Sequence, residues 1–301
     1  MNFNTLRYVV AIAQERSFTL AAKRLHLSQP SLSQNIKSLE ERLGVILFDR
    51  TTIPLETTSA GKEYVEWAQQ VLLSEAQIYR HISDIRTSGQ IRMRVGISPH
   101  RSAFMLPQVV QDVLQEFPSC AFSIEDGVHE SDLYDLLYDR QIDLMIGAAH
   151  PDETRFESTF ITNERILLAV PRSYRLMPSE SEGYPTISLS VLRNKPFIIM
   201  PASTYLGALL RNLCEQEGFL PAYSIVSRNV FSSLNMVDIG LGCTLVPELV
   251  VKYDSPRPNV DYFLLSNGNP SQDVSILTRS GAVLIEPARR FKELILQRYR
   301  N

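Results

Sequence analysis

Cysteine is scarce in this 301-residue chain: Cys120, Cys214 and Cys243 lie far apart and form no C-x-x-C pair. That is too few for a disulfide framework and suits a reducing cytoplasm. Long hydrophobic runs are missing as well, none approaching the ~18 apolar residues that a membrane span needs. Arg7, the run Tyr8–Ala13 and Ala11-Ile12-Ala13 imitate a secretion signal. The run is shorter than the ~7–15 residues of a secretory core. Its apolar positions Leu6, Val9, Val10 and Ala13 instead follow helical spacing, so the segment reads as part of the mature fold. No excess of one charge exists either: 30 Lys+Arg face 33 Asp+Glu, a net of −3. A polycationic nucleic-acid coat and an acidic disordered tail are both excluded.

Catalytic constellations are equally absent. Gly61-Lys62 has Glu56 where a phosphate-binding loop needs its first glycine, and Gly240-Leu241-Gly242 lacks a third glycine and precedes a strand. Gly96-Ile97-Ser98 continues as Pro99-His100, not as a nucleophile elbow, and His129-Glu130 has no second histidine four residues on. The five histidines (His26, His81, His100, His129, His150) are scattered. The expectation is therefore no catalytic residue, no metal and no cofactor.

What is present is a division of charge and of pattern. Residues 1–62 hold eight basic and five acidic groups, a net of +3, leaving −6 for the rest. A small basic head on an acidic body suggests that only the head meets an anionic polymer. In the head, Ser17-Phe18-Thr19 offers capping chemistry before the helical stretch Leu20–Leu25, and His26-Leu27-Ser28 makes a turn. Gln29-Pro30 opens a second helix, with proline in the first turn where its missing N–H costs nothing. Leu32, Ile36, Leu39 and Leu43 form its core stripe, and Gly44 stops it. The opposite face, with Pro30, Gln34 and Lys37 flanked by Ser33 and Ser38, is small and hydrogen-bonding and suits a DNA groove. Residues 49–58 then read as a β-rich wing. A long helix is expected over Ser59–Arg86, its stripe Tyr64, Ala68, Val71, Ile78, Ile82 and Ile85 interrupted by Glu75. Such a stripe fits pairing with a second chain or packing on its own domain.

From Gln90 the pattern becomes α/β. Strands are expected at Ile91–Ile97, Ala121–Glu125, Ile142–Gly147, Ile166–Val170, Phe197–Met200, Tyr223–Val226, Thr244–Val246, Asp261–Leu265 and Asp273–Thr278. Helices are expected at Ser102–Phe117, Ser131–Arg140, Tyr205–Glu217, Val230–Gly240 and Leu284–Tyr299.

The run from Ser17 to Glu40, with Leu43-Gly44, Leu47-Phe48-Asp49-Arg50 and Ala60-Gly61, resembles the DNA-binding domain and linker of LysR-type transcriptional regulators. Ile142-Asp143-Leu144-Met145-Ile146-Gly147 and Gly240-Leu241-Gly242 with Leu245-Val246-Pro247 extend the resemblance into the body. It implies a winged helix-turn-helix over 1–58, a dimerisation helix over 59–88 and a two-lobed effector domain like periplasmic binding proteins over 89–301. Lobe I would comprise 89–162 and 267–301, and lobe II 163–266, with crossings near Phe160–Thr162 and Leu265–Asn267. It also implies a cytoplasmic homodimer or homotetramer on pseudo-palindromic promoter DNA. A small-molecule effector would change DNA bending, with RNA polymerase as a candidate partner. Two departures stand out. The wing holds Ile53 and Pro54 where the family usually has Arg or Lys, and Cys214 and Cys243, 29 residues apart, do not match the spacing of peroxide-sensing members. A solute receptor and an enzyme with a helical appendage are the competing readings; the added head counts against the first and the missing catalytic set against the second.

The expected DNA contacts are Gln34 and Ser33 to base edges, Gln29, Pro30 and Ser31 at the helix start, and Lys37 to a phosphate. Arg50 is expected on a phosphate at the base of the wing, the alternative being a salt bridge to Asp49 or Glu56. The effector, expected to be a small anion or carboxylate, would sit between two helix starts. Ser98, His100, Arg101 and Ser102 lie on one side and Pro201, Ser203 and Thr204 on the other, with Thr162 and Phe231 as walls.

Overall fold

Short polar side chains start the N-terminal helices. Asn2 Oδ1 accepts from the N–H of Asn4 at 3.0 Å, Ser17 Oγ from Leu20 at 3.4 Å and Ser28 Oγ from Ser31 at 3.4 Å. Each satisfies one of the donors that a helix leaves open at its N-terminus. The computed structural model describes residues 2–126, 129–150, 152, 154–177, 183–266, 268 and 270–300. It divides into two units, Met1–Ser88 and Gly89–Asn301.

The first unit is α1 (Phe3–Glu15), α2 (Phe18–Arg24), α3 (Gln29–Leu43), an antiparallel hairpin of β1 (Phe48–Asp49) and β2 (Glu56–Thr57), and α4 (Ser59–Ser88). Its core joins Val9 and Ile12 to Ala21, Ala22, Leu32, Ile36, Leu39, Leu47 and Phe48. Each large aliphatic side chain buried there contributes about 1.5–3 kcal/mol. On α1 the buried residues are Leu6, Val9, Ala11 and Ile12, while Val10 and Ala13 stay half-exposed. Gly44, at φ 72°, ends α3, and Leu43 is 41% exposed, outside the stripe assigned to it. Gly61 is required by close approach: a Cβ there would lie 1.9 Å from the Leu47 carbonyl oxygen.

The second unit begins with β3 (Ile91–Ile97), α5 (Pro99–Glu116), β4 (Cys120–Glu125), α6 (Glu130–Tyr138) and β5 (Leu144–Gly147). Next come β6 (Phe156–Pro171), β7 (Thr186–Ile187), β8 (Phe197–Ile199), α7 (Tyr205–Gln216), β9 (Tyr223–Val226) and α8 (Val230–Asp238). β10 (Thr244–Pro247), α9 (Glu248–Tyr253), β11 (Val260–Leu265), β12 (Ser271–Arg279) and α10 (Glu286–Tyr299) complete it. The main sheet runs β4-β3-β5-β12-β6-β11-β7, with β10 also on β6, and β8 and β9 pair separately. β3, β4 and β5 are parallel, as expected of βαβ units, whereas β12 runs antiparallel to both neighbours.

Among the described residues, two of the second unit's three buried clusters mark two lobes, and the third, Leu133, Leu137, Ile142, Met145, Phe156 and Leu277, packs α6 on the sheet. Met93, Val95, Leu144, Ile161, Val274, Ile276 and Phe291 belong to the first, and Ile166, Leu168, Ile198, Leu234, Val246 and Phe263 to the second. β6 therefore passes between lobes in the stretch 161–166. Leu265 is still in the second core and Val274 in the first, so the return lies between them. Asn267, named for that return, lies outside the described residues. α10 comes back to the first core through Phe291 and Ile295.

Two expected boundaries move. α5 starts at Pro99 and not at Ser102, because an extended Ser98 followed by proline at the first helical position is a ready helix start. β6 extends ten residues N-terminal to the expected Ile166, through Asn163, Glu164 and Arg165. Those polar residues concealed a strand whose ladder continues from Arg279↔Phe156 to Ser271↔Arg165.

Candidate functional site

On α3 the side away from the core presents Gln29, Pro30, Ser31, Gln34 and Lys37 exposed and Ser33 half-buried, while Leu32, Ile36 and Leu39 are buried beneath. Lys37 lies 3.9 Å from Glu41, one turn on, a weak exposed pair. Arg50 is engaged. It donates to Glu40 Oε2 at 3.1 Å and to Ser33 Oγ at 3.2 Å, and stands over the Phe18 ring at 4.9 Å. Its partner is therefore neither Asp49 nor Glu56. Asp49 accepts from the Thr51 hydroxyl and N–H, which hold its carboxyl below the usual range, and Glu56 pairs with Arg16 at 3.3 Å. The other Glu40 oxygen accepts from the N–H groups of Leu47 and Phe48 at 2.8 and 3.3 Å, so one carboxylate ties the wing to α3. Ile53, at the wing tip, is 99% exposed.

The stripe on α4 splits in two. Ala68 is fully buried and Tyr64 packs on the core of its own unit. Ile78, Ile82 and Ile85 remain about half exposed. Glu75, the interruption, accepts from Arg7 of α1 at 2.8 Å.

In the second unit a cavity of about 430 Å³ lies between the lobes, within the ~300–1,000 Å³ of small-molecule sites. Four helices begin at its wall: α5 and α6 from the first lobe, α7 and α8 from the second. The first two N–H groups of each (His100 and Arg101, Glu130 and Ser131, Tyr205 and Leu206, Val230 and Phe231) belong to lining residues and donate to no other described residue; α5 counts from His100 because Pro99 has none. Thr204 and Asn229 cap the donors just behind, from Gly207 at 3.2 Å and Ser232 at 3.0 Å. The result is eight open donors at four positive dipole ends.

Of the expected residues, Ser98, His100, Arg101, Ser203, Thr204 and Phe231 line this cavity, and Ser102, Thr162 and Pro201 do not. Ser102 is already inside α5, its N–H bonded to Ser98 O at 2.8 Å. Thr162 is a ladder residue opposite Val274, and the Pro201 carbonyl accepts from Thr204. His129, Glu130, Arg228 and Gln272 also line the cavity and were not foreseen. The signal available was the pair of further helix starts, His129-Glu130-Ser131 and Ser227-Arg228-Asn229.

Arg101 corrects the expected roles. It is 3% exposed, and its Nε and Nη2 donate to Glu164 Oε2 at 3.1 and 2.7 Å, with a further bond to Gln272 Oε1 at 2.8 Å. Its charge is matched inside the protein, and it joins α5 to both strands that cross between lobes. Arg228 is exposed, and its Nη1 donates to His129 Nε2 at 3.3 Å. His100 titrates well below the ordinary imidazole value, first because burial disfavours its cation and then because Arg101 repels it. His100 Nε2 and Ser98 Oγ are shielded from solvent and have no partner among the described residues. Above them Phe104 meets Phe231 edge-on at 5.8 Å, one ring from each lobe.

A winged helix-turn-helix with a polar outward face, in one chain with a two-lobed cavity domain, defines the class of ligand-responsive transcriptional regulators. The model of the bacterial regulatory helix-turn-helix protein, lysR family, matches residues 3–62, and that of the LysR substrate binding domain matches 87–300. The chain belongs to the LysR family. It is 30% identical to the transcriptional regulator ClcR of Pseudomonas putida over 85% of this chain and 86% of that one. To the dual regulator OxyR of Escherichia coli it is 26% identical over 99% and 96%. Full-length BenM is similar in structure, with a TM-score of 0.57 and 26% identity over 99% of this chain and 96% of that one. Among the described residues no helix is long and apolar enough to cross a membrane.

Proposed function

We propose that the chain acts in the cytoplasm as a homodimer or homotetramer that binds pseudo-palindromic promoter DNA through α3 and answers to a small anionic effector held between its lobes. Gln34 and Ser33 read base edges, Gln29, Pro30 and Ser31 set the helix start, and Lys37 takes a phosphate. Arg50 reaches a phosphate from its perch on Glu40. RNA polymerase is the candidate downstream partner. The role is regulatory and not catalytic.

One observation carries the effector reading: the first two N–H groups of four helices belong to residues lining one cavity and donate to no other described residue. Open donors at a positive dipole end bind anions such as carboxylates. Ser98, His100, Ser203 and Thr204 add side-chain hydrogen-bonding groups, and Phe231 supplies an apolar wall.

A gel-shift with the DNA upstream of the chain's own gene tests the DNA half. Gln34→Ala is expected to lose ~1–3 kcal/mol of specific binding if the glutamine makes a bidentate base contact. Lys37→Ala is expected to weaken all sequences alike and to lower the salt slope by ~0.9. Unchanged binding in both variants would reject this docking.

A further inference from the structure

On the first-lobe side of the cavity one cation, Arg101, stands between two carboxylates, Glu164 at 2.7 Å and Glu130 at 3.9 Å, which leaves a surplus negative charge, and on the second-lobe side Arg228 adds a positive one. Arg101 is accounted for by Glu164 at 2.7 Å. That leaves Glu130, from the first lobe, and Arg228, from the second, both lining the cavity. Glu130 is held deliberately in place. Its Oε1 accepts from the N–H of Ala148 at 2.7 Å, and it lies so close to Gly147 that a Cβ there would come within 2.5 Å of it. Oε2 has no partner among the described residues, and Arg101 stands 3.9 Å from Oε1 while already committed to Glu164. Arg228 meets no carboxylate among the described residues; its Nη1 lies 3.3 Å from His129 Nε2, next to Glu130.

A pure carboxylate would satisfy the open N–H groups and Arg228 but would bring a second negative charge toward Glu130. Like charges brought together in a partly desolvated site disfavour binding. A ligand with one anionic and one cationic group leaves every charge matched. Leu133, Ile146, Met200, Leu206 and Phe231 supply an apolar lining for its remaining atoms.

We infer that the effector is a small zwitterion of the amino-acid class with an apolar side chain. Its carboxylate lies on the open helix-start donors beside Arg228, and its ammonium group lies on Glu130 Oε2. The assignment rests on the anion reading above and adds the cationic half, which Glu130 alone tests. Glu130→Gln is the informative variant, because the amide oxygen still accepts from Ala148 while the negative charge is gone.

Calorimetry on the full chain with matched probes separates the possibilities: leucine, its deaminated counterpart 4-methylpentanoate and its decarboxylated counterpart 3-methylbutylamine, and the same trio built on phenylalanine. The expected result is that an amino acid binds at least ~10-fold tighter than either singly charged counterpart, a difference of ~1.4 kcal/mol. Glu130→Gln should erase the preference over the carboxylate, and Arg228→Gln the preference over the amine. If the carboxylate binds wild type as tightly as the amino acid and Glu130→Gln leaves their ratio unchanged, the zwitterion is rejected and the anion reading stands. If the amine alone binds best, both readings fall. Failure of all twenty standard amino acids to bind at millimolar concentration also overturns the inference, while other carboxylates still probe the anion reading.

Discussion

Arg101 and Arg228 stand at helix starts on one cavity, yet their surroundings give them different work. The first is buried and must be neutralised, since an unpaired buried charge is costly, and Glu164 and Gln272 do this. Those partners are 63 and 171 residues away, which is why sequence reading made Arg101 a ligand group. Arg228 sits in a loop with no periodicity to mark it. His100 shows the same dependence on environment, and it yields a sign for pH. Its folded-state titration is depressed below the ordinary value near 6.5 by burial and by Arg101. As pH falls below that value the unfolded chain takes up a proton that the folded chain refuses, so the unfolded state gains. The melting temperature of wild type is therefore expected to drop more steeply than that of His100→Asn as pH goes from 7.5 to 5. Parallel profiles for the two proteins would show that His100 is protonated in the fold.

Elements were legible where local chemistry fixed them and obscure where distant partners did. α3 could be read from Gln29-Pro30 and Gly44, and it spans Gln29–Leu43, with Ser28, read only as a turn residue, as its cap. The N-terminal part of β6 could not, because Glu164 is acceptable in a buried strand only once Arg101 is opposite it. α4 shows both cases. Its stripe was visible, but the half that faces its own unit is set by the packing of Tyr64 and Ala68, which the spacing alone did not single out. Ile78, Ile82 and Ile85 are 52, 54 and 47% exposed, and the proposed pairing of two chains would use this half. Ile78→Glu with Ile82→Glu places two charges there without touching the buried Ala68. The double variant is expected to be monomeric at micromolar concentration by sedimentation, with unchanged helical content. A dimer would show that other surfaces hold the assembly together.

At the scale of the whole molecule, each unit has its own core, which is why the head and the body carry separate sequence signatures. All three cysteines fall in the body and none in the head. Cys120 lies in the first-lobe core and Cys214 and Cys243 in the second. Burial raises all three thiols, and Cys214 and Cys243 are pushed up to about 12. Peroxide attack requires the thiolate, and a thiol three pKa units above the ordinary 9.0 holds ~1,000-fold less of it at neutral pH. All three cysteines of this chain are core side chains. Operator affinity is therefore expected to be the same before and after brief treatment with micromolar hydrogen peroxide. Iodoacetamide should label the native chain slowly and the denatured chain fast at all three positions, as mass spectrometry would record. Rapid native modification of any one cysteine, with a change in operator binding that a Ser variant removes, would restore a redox role.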